Sequence, residues 1–111
     1  MIDRIEEPAA VVSVRWLSAA EGGRRSGPPS APVYAATCAF LAGDGTSEVL
    51  SILMEQFGPE DGGERRARIG FLAPEIAAPY LTVGRRILIQ EGARVVGHAL
   101  IREVFSPRGE P

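Results

Sequence analysis

Large apolar residues recur at every second position along this chain, in short runs fenced by glycine and proline. Period two marks strands that bury one face, whereas an amphipathic helix repeats its apolar residues every three or four positions. Val12, Val14 and Trp16 alternate with Ser13 and Arg15, which predicts a strand over about 9–17 with three large apolar groups on one face. Ser18 to Pro32 is rich in Gly, Ser and Pro and contains Pro28-Pro29, so it reads as a loop. Val33 to Ala42 forms a second, mostly buried strand that stops at the turn signal Gly43-Asp44-Gly45. From Glu48 to Gln56, Leu50, Ile52 and Met54 share a face with Glu48, while Val49, Ser51, Leu53 and Glu55 take the other; a short helix fits this segment as well. Gly58 to Glu64 reads as a polar loop feeding Arg65-Arg66-Ala67-Arg68, with a strand expected from Arg66 to Leu72. Pro74 and Pro79 interrupt Ala73 to Gly84. Ile87 and Ile89 then share one face of a strand over Arg85 to Gln90, Glu91-Gly92-Ala93 turns the chain, and Arg94 to Phe105, expected to be the longest strand in the protein, completes a hairpin. Six closely spaced strands point to an all-β domain, a closed barrel or a sandwich.

At 111 residues the chain matches one domain with one core, expected over about 9–105, followed by a polar tail, 106–111, expected to fray. Apolar residues at 45% and charged residues at 23% give the balance of a globular chain. A lone cysteine, Cys38, forms no internal disulfide, and Met1 to Glu7 lacks the basic and apolar regions of a signal peptide, so a cytoplasmic location is expected. The longest apolar stretch, Val33 to Gly43, is about half of the roughly 20 residues a membrane-spanning helix requires. A net charge of −2 gives no global attraction to nucleic acid or to an acidic membrane, so such affinity requires a local patch. All 12 basic residues are arginine. Without lysine there is no phosphate-loop lysine, Schiff-base lysine or lysine general base.

Candidate chemistry is sparse. His98 is the only histidine and Cys38 the only cysteine, so no four-ligand zinc site can be assembled from Cys and His alone, and no metal or cofactor is expected. Glu103 lies an odd number of residues from His98 on one expected strand, and regular pleating sends the two to opposite faces. A Cys38–His98 nucleophile pair is the remote enzymatic reading; no signature surrounds either residue, and both are better explained as structural. Glu21-Gly22-Gly23-Arg24-Arg25-Ser26-Gly27 has the glycines of a phosphate loop but no lysine before its serine and no helical pattern after it. Neither GTP nor ATP binding is expected.

Two motifs carry a family resemblance. Glu21-Gly22-Gly23-Arg24, after the strand Val12 to Leu17, and Glu91-Gly92-Ala93-Arg94-Val95-Val96-Gly97, after Ile87-Leu88-Ile89, resemble the two best-marked stretches of the C-terminal β-barrel domain of translation elongation factor Tu. The likeness spans about Val11 to Val104, with Gly43 to Gly84 matching only in pattern. It implies a six-stranded antiparallel barrel without a nucleotide site, which in that family contacts the T-stem of transfer RNA, a GTPase domain and an exchange factor. Arg24 and Arg25 match residues that approach the RNA, and Glu91 and Gly92 match the second contact loop. Gln90 stands where the family has arginine, Ala93 where it has glycine, and Val33 where it has glutamine.

The resemblance further implies that Arg24, Arg25 and Arg94 lie beside Glu91 and Gly92 as one mixed-charge patch. A non-catalytic module that docks a protein partner is the leading functional reading. RNA binding through the Arg24/Arg25 and Glu91–Arg94 loops, with help from Arg65, Arg66 and Arg68, is the alternative.

Overall fold

The computed structural model describes residues 4–105, so the tail expected to fray lies outside the described residues. Its elements in chain order are β1 (Ala10–Trp16), β2 (Tyr34–Ala42), the two-residue β3 (Gly45–Thr46), β4 (Leu50–Asp61), β5 (Glu64–Phe71), α1 (Pro74–Ala77), β6 (Arg86–Glu91) and β7 (Arg94–Val104). Single 3-10 turns occupy Ala19–Glu21 and Ala78–Tyr80. Six strands follow the order β2-β4-β5-β1-β7-β6, and β6 pairs back onto β2 through Thr37–Phe40 and Ile87–Gln90. The result is a closed, six-stranded antiparallel barrel, and closure leaves no long edge unpaired. Among the described residues no helix is long and apolar enough to cross a membrane.

The alternation that predicts the strands also fills the barrel. Val12, Val14, Cys38, Phe40, Ile52, Met54, Ile69, Ile87, Ile89, Val96 and Ile101 are all buried in its interior. Leu50, Ile52 and Met54 face inward together, so the segment that also fits a short helix is a strand. Packing settles that choice, because the three side chains reach one core only at period two.

Antiparallel pairing places the ends of β1, β4 and β6 and the starts of β2, β5 and β7 at one rim of the barrel. At the opposite rim α1 and its following 3-10 turn close the barrel, and Phe40 packs on Tyr80 at 5.0 Å and on Phe71 at 5.6 Å between ring centres. Arg85 fastens this cap by donating to the Tyr80 carbonyl at 2.8 Å and the Leu41 carbonyl at 2.9 Å. Among the described residues, every exposed large apolar one, Val49, Leu72, Ile76, Val83 and Phe105, also lies at this capped rim.

Three expectations are corrected. The stretch from Gly58 is not a loop: β4 runs to Asp61 and turns at Gly62-Gly63. Its register shifts between Phe57 and Asp61, and the Arg65 Nε donates to the Gly58 carbonyl at 2.8 Å across the irregularity. A bulge thus absorbs the glycine and proline that read as breakers. Second, β4 at 12 residues, not β7 at 11, is the longest strand. Third, His98 and Glu103 are both exposed, because the β1–β7 register shifts at Val11/Val12 and resets the alternation. Five residues of strand, about 16 Å, still keep them apart.

Candidate functional site

The uncapped rim is built around the long connection from β1 to β2. Ser18 opens a capping box, its hydroxyl accepting from the Glu21 amide at 3.2 Å while the Glu21 carboxylate accepts from the Ser18 amide at 2.8 Å. Those bonds, the backbone one first, hold the Glu21 carboxyl below its ordinary pKa. The turn folds Gly23 back onto Leu17, where a β-carbon would lie 2.1 Å from the Leu17 carbonyl oxygen, so only glycine fits. Immediately beyond it, Arg24 reaches the β6–β7 hairpin.

Arg24 Nε donates to Glu91 Oε2 at 2.8 Å, and Arg24 Nη1 donates to the Gly27 carbonyl. Its guanidinium lies 5.5 Å from the Tyr34 ring centre, and the Tyr34 hydroxyl donates to the same Glu91 oxygen. Tyr34 in turn meets Trp16 edge-on at 5.4 Å. Gly97 lies beneath Trp16, where a β-carbon would come within 2.9 Å of the indole ring. Arg94 makes a longer contact, 3.5 Å, with the Gly23 carbonyl.

The structure therefore brings the two loops together, but the patch differs from the expectation in one respect. The Arg24 side chain, 24% exposed, is engaged inside the protein as a clasp between the connection and Glu91. Arg25 is exposed beside it and forms no hydrogen bond or ion pair among the described residues. Gly92 occupies the hairpin turn.

Glu91 supplies a pH test of the clasp. The Tyr34 hydroxyl, followed by Arg24, holds the Glu91 carboxyl below its ordinary value of 4.5, while burial opposes the shift. A depressed folded-state pKa contributes stability above the unfolded value and loses it as pH falls through the folded value. The clasp is thus expected to hold in full above pH 4.5 and to release only as pH falls through the lower folded-state value. Tyr34→Phe should move the Glu91 carboxyl resonance, followed by NMR, to a higher titration midpoint; an unchanged midpoint would remove Tyr34 as the cause.

The enzymatic candidates are separated by the barrel wall. Cys38 is fully buried, and burial pushes its thiol up to about 12, so it stays protonated at neutral pH. His98 is exposed on β7 opposite Arg15. Among the described residues no three His, Cys, Asp or Glu side chains gather as metal ligands.

A groove of about 530 Å³ lies between the β1–β2 connection and the β4–β5 hairpin. Trp16, Pro28, Pro29 and Pro59 supply its apolar surface, and Arg15, Glu60, Glu64 and Arg65 its charges. β1 pairs with β5 only as far as Val14 with Arg65, whereas it pairs with β7 as far as Trp16 with Gly97; the β4–β5 tip diverges there and opens the groove. Gln56 sets one wall, accepting from the Trp16 indole N–H at 3.0 Å and donating to the Pro29 carbonyl at 3.2 Å. Sequence reasoning missed this site, since Trp16 and Gln56 are 40 residues apart and Gly58-Pro59 read as loop. Pro28-Pro29, set in a connection too long for a tight hairpin, was the available signal.

No protein-family model matches the chain, and no curated protein matches it.

Proposed function

We propose that the protein is a non-catalytic binding module, a relative of the elongation factor Tu C-terminal barrel, that docks a segment of a partner protein in the groove beside Trp16. The groove carries this reading. Its volume falls within the range of ligand-binding clefts, and an aromatic ring among prolines with charges at the margin is the composition that anchors polypeptide contacts. The Gln56 bridge fixes the position of Trp16 before any partner arrives, which lowers the ordering cost of binding. Arg25 and Arg94 adjoin the same rim and extend the surface. The free, protonated thiol of Cys38 accords with action in the cytoplasm.

Affinity isolation from nuclease-treated extract tests this. The parent should retain a protein in near-stoichiometric amount, and Glu60→Arg and Pro28→Glu, both exposed changes, should each reduce that retention about tenfold or more. Retention unaffected by either change would refute the groove as the docking site.

A further inference from the structure

The walls of the groove beside Trp16 have little hydrogen-bonding capacity left. Pro28, Pro29 and Pro59 carry no amide N–H. Three carbonyls of the walls and the adjoining hairpin tip are already engaged: Gln56 Nε2 donates to that of Pro29 at 3.2 Å, Arg65 Nε to that of Gly58 at 2.8 Å, and Arg15 Nη2 to that of Gly62 at 3.0 Å. The Trp16 indole N–H is likewise committed, to Gln56 Oε1 at 3.0 Å. An incoming β-strand needs a ladder of donors and acceptors and finds no such row at these positions.

A polyproline II segment makes no such demand. It has no internal hydrogen bonds, keeps its carbonyls in water, and its prolines bring no N–H to be left unpaired. Proline rings offer apolar faces to an aromatic ring, and their fixed φ lowers the ordering cost of binding. A second depression of about 350 Å³ shares Trp16 and Pro28 with the groove and passes Leu17 toward Arg25, so an extended segment has surface to follow beyond the groove itself.

The charges of the groove differ in their availability. Arg15 and Arg65 spend hydrogen bonds on the hairpin backbone, whereas Glu60 is exposed and forms no hydrogen bond or ion pair among the described residues. Glu64 meets Arg15 only at 3.8 Å, and both side chains are about half exposed. The charge left to receive a ligand is therefore negative, and it lies on the side of the β4–β5 hairpin.

We propose, resting on the groove as the docking site, that its occupant is a proline-rich segment in polyproline II conformation with an arginine or lysine beside the prolines. The prolines lie on Trp16 among Pro28, Pro29 and Pro59, and the cation meets Glu60 and Glu64. A carboxylate accepts two parallel N–H bonds from a guanidinium, so arginine fits better than lysine.

Fluorescence anisotropy with three labelled peptides of about ten residues, roughly 30 Å long as polyproline II, tests it. The first is oligoproline flanked at both ends by arginine, the second oligoproline flanked by glutamine, and the third a Gly-Ser peptide flanked by arginine. Flanking both ends makes the result independent of chain direction. The first should bind most tightly. The glutamine-flanked peptide should bind about three- to tenfold more weakly, the difference that two exposed ion pairs supply. The Gly-Ser peptide, which must be ordered on binding, should bind at least about tenfold more weakly. Glu60→Gln with Glu64→Gln should abolish the preference for arginine flanks and leave the glutamine-flanked peptide unchanged, at a melting temperature close to the parent's. No binding of the arginine-flanked oligoproline at about 1 mM, equal binding of the Gly-Ser peptide, or an undiminished preference for arginine flanks in the double variant would each overturn the proposal. Those outcomes leave the groove reading standing where Pro28→Glu still lowers retention of a protein from extract; where it does not, both fall.

Discussion

Phe40→Ala should destabilise the barrel by about 3–5 kcal/mol, the range for emptying a large aromatic site in a close-packed core. Phe40 is fully buried and joins the barrel interior to its cap by packing on both Phe71 and Tyr80. Its removal leaves a cavity where the interior meets the α1 cap, and the closed wall restricts relaxation into it. For a chain of this size the loss corresponds to a fall of roughly 12–25 °C in melting temperature. Thermal unfolding followed by circular dichroism measures it. A fall of under about 5 °C would mean that the cap collapses onto the vacated space and contributes little of its own.

Gly23→Ala is the second large effect, and its cause is overcrowding. The added β-carbon would meet the carbonyl oxygen, carbonyl carbon and β-carbon of Leu17 at 2.1, 2.6 and 2.8 Å. Backbone cannot rotate away as a flexible side chain can, so the turn that returns the chain from Ser18 must open. With it go the bond from the Gly23 amide to the Ser18 carbonyl and the placement of Arg24 against Glu91. Overpacking of this kind costs about 1–3 kcal/mol, sometimes more. Hydrogen exchange localises the damage: amides of 19–27 should lose protection well beyond those of β4 and β5. Native protection across 19–27 in the variant would show that the close approach is dispensable.

Much of the barrel was legible because its inward positions carry the signal themselves. Val12, Val14, Leu50, Ile52, Met54, Ile87 and Ile89 alternate with other residues and all face the core. Features created by tertiary contact were not legible. Gly58 and Pro59 are loop residues by local preference, yet β5 pairs past them and the Arg65 side chain bridges the gap. His98 and Glu103 share the outer surface only because β1 and β7 slip register at Val11/Val12. For the site, the motifs located the loops, and the structure puts Arg24 within 2.8 Å of Glu91 across 67 residues of sequence. The consequence was hidden: Tyr34 read as an ordinary strand residue, and its hydroxyl and ring turn Arg24 from a free cation into a clasp.

The position of β1 in the wall sets when the barrel can form. β1 lies between β5 and β7, so Ala10 awaits Ile69 on one side and Val104 on the other. A chain emerging from the ribosome can close the β4–β5 hairpin early, yet its first strand keeps one edge bare until the last strand appears. Loop closure over such distances is slow, and a bare apolar strand is open to wrong partners meanwhile. Assembly is thus an all-or-nothing event that waits for β7 to be synthesised. A ribosome-bound chain halted before Arg94 would hold five of the six barrel strands and lack the one that seals them.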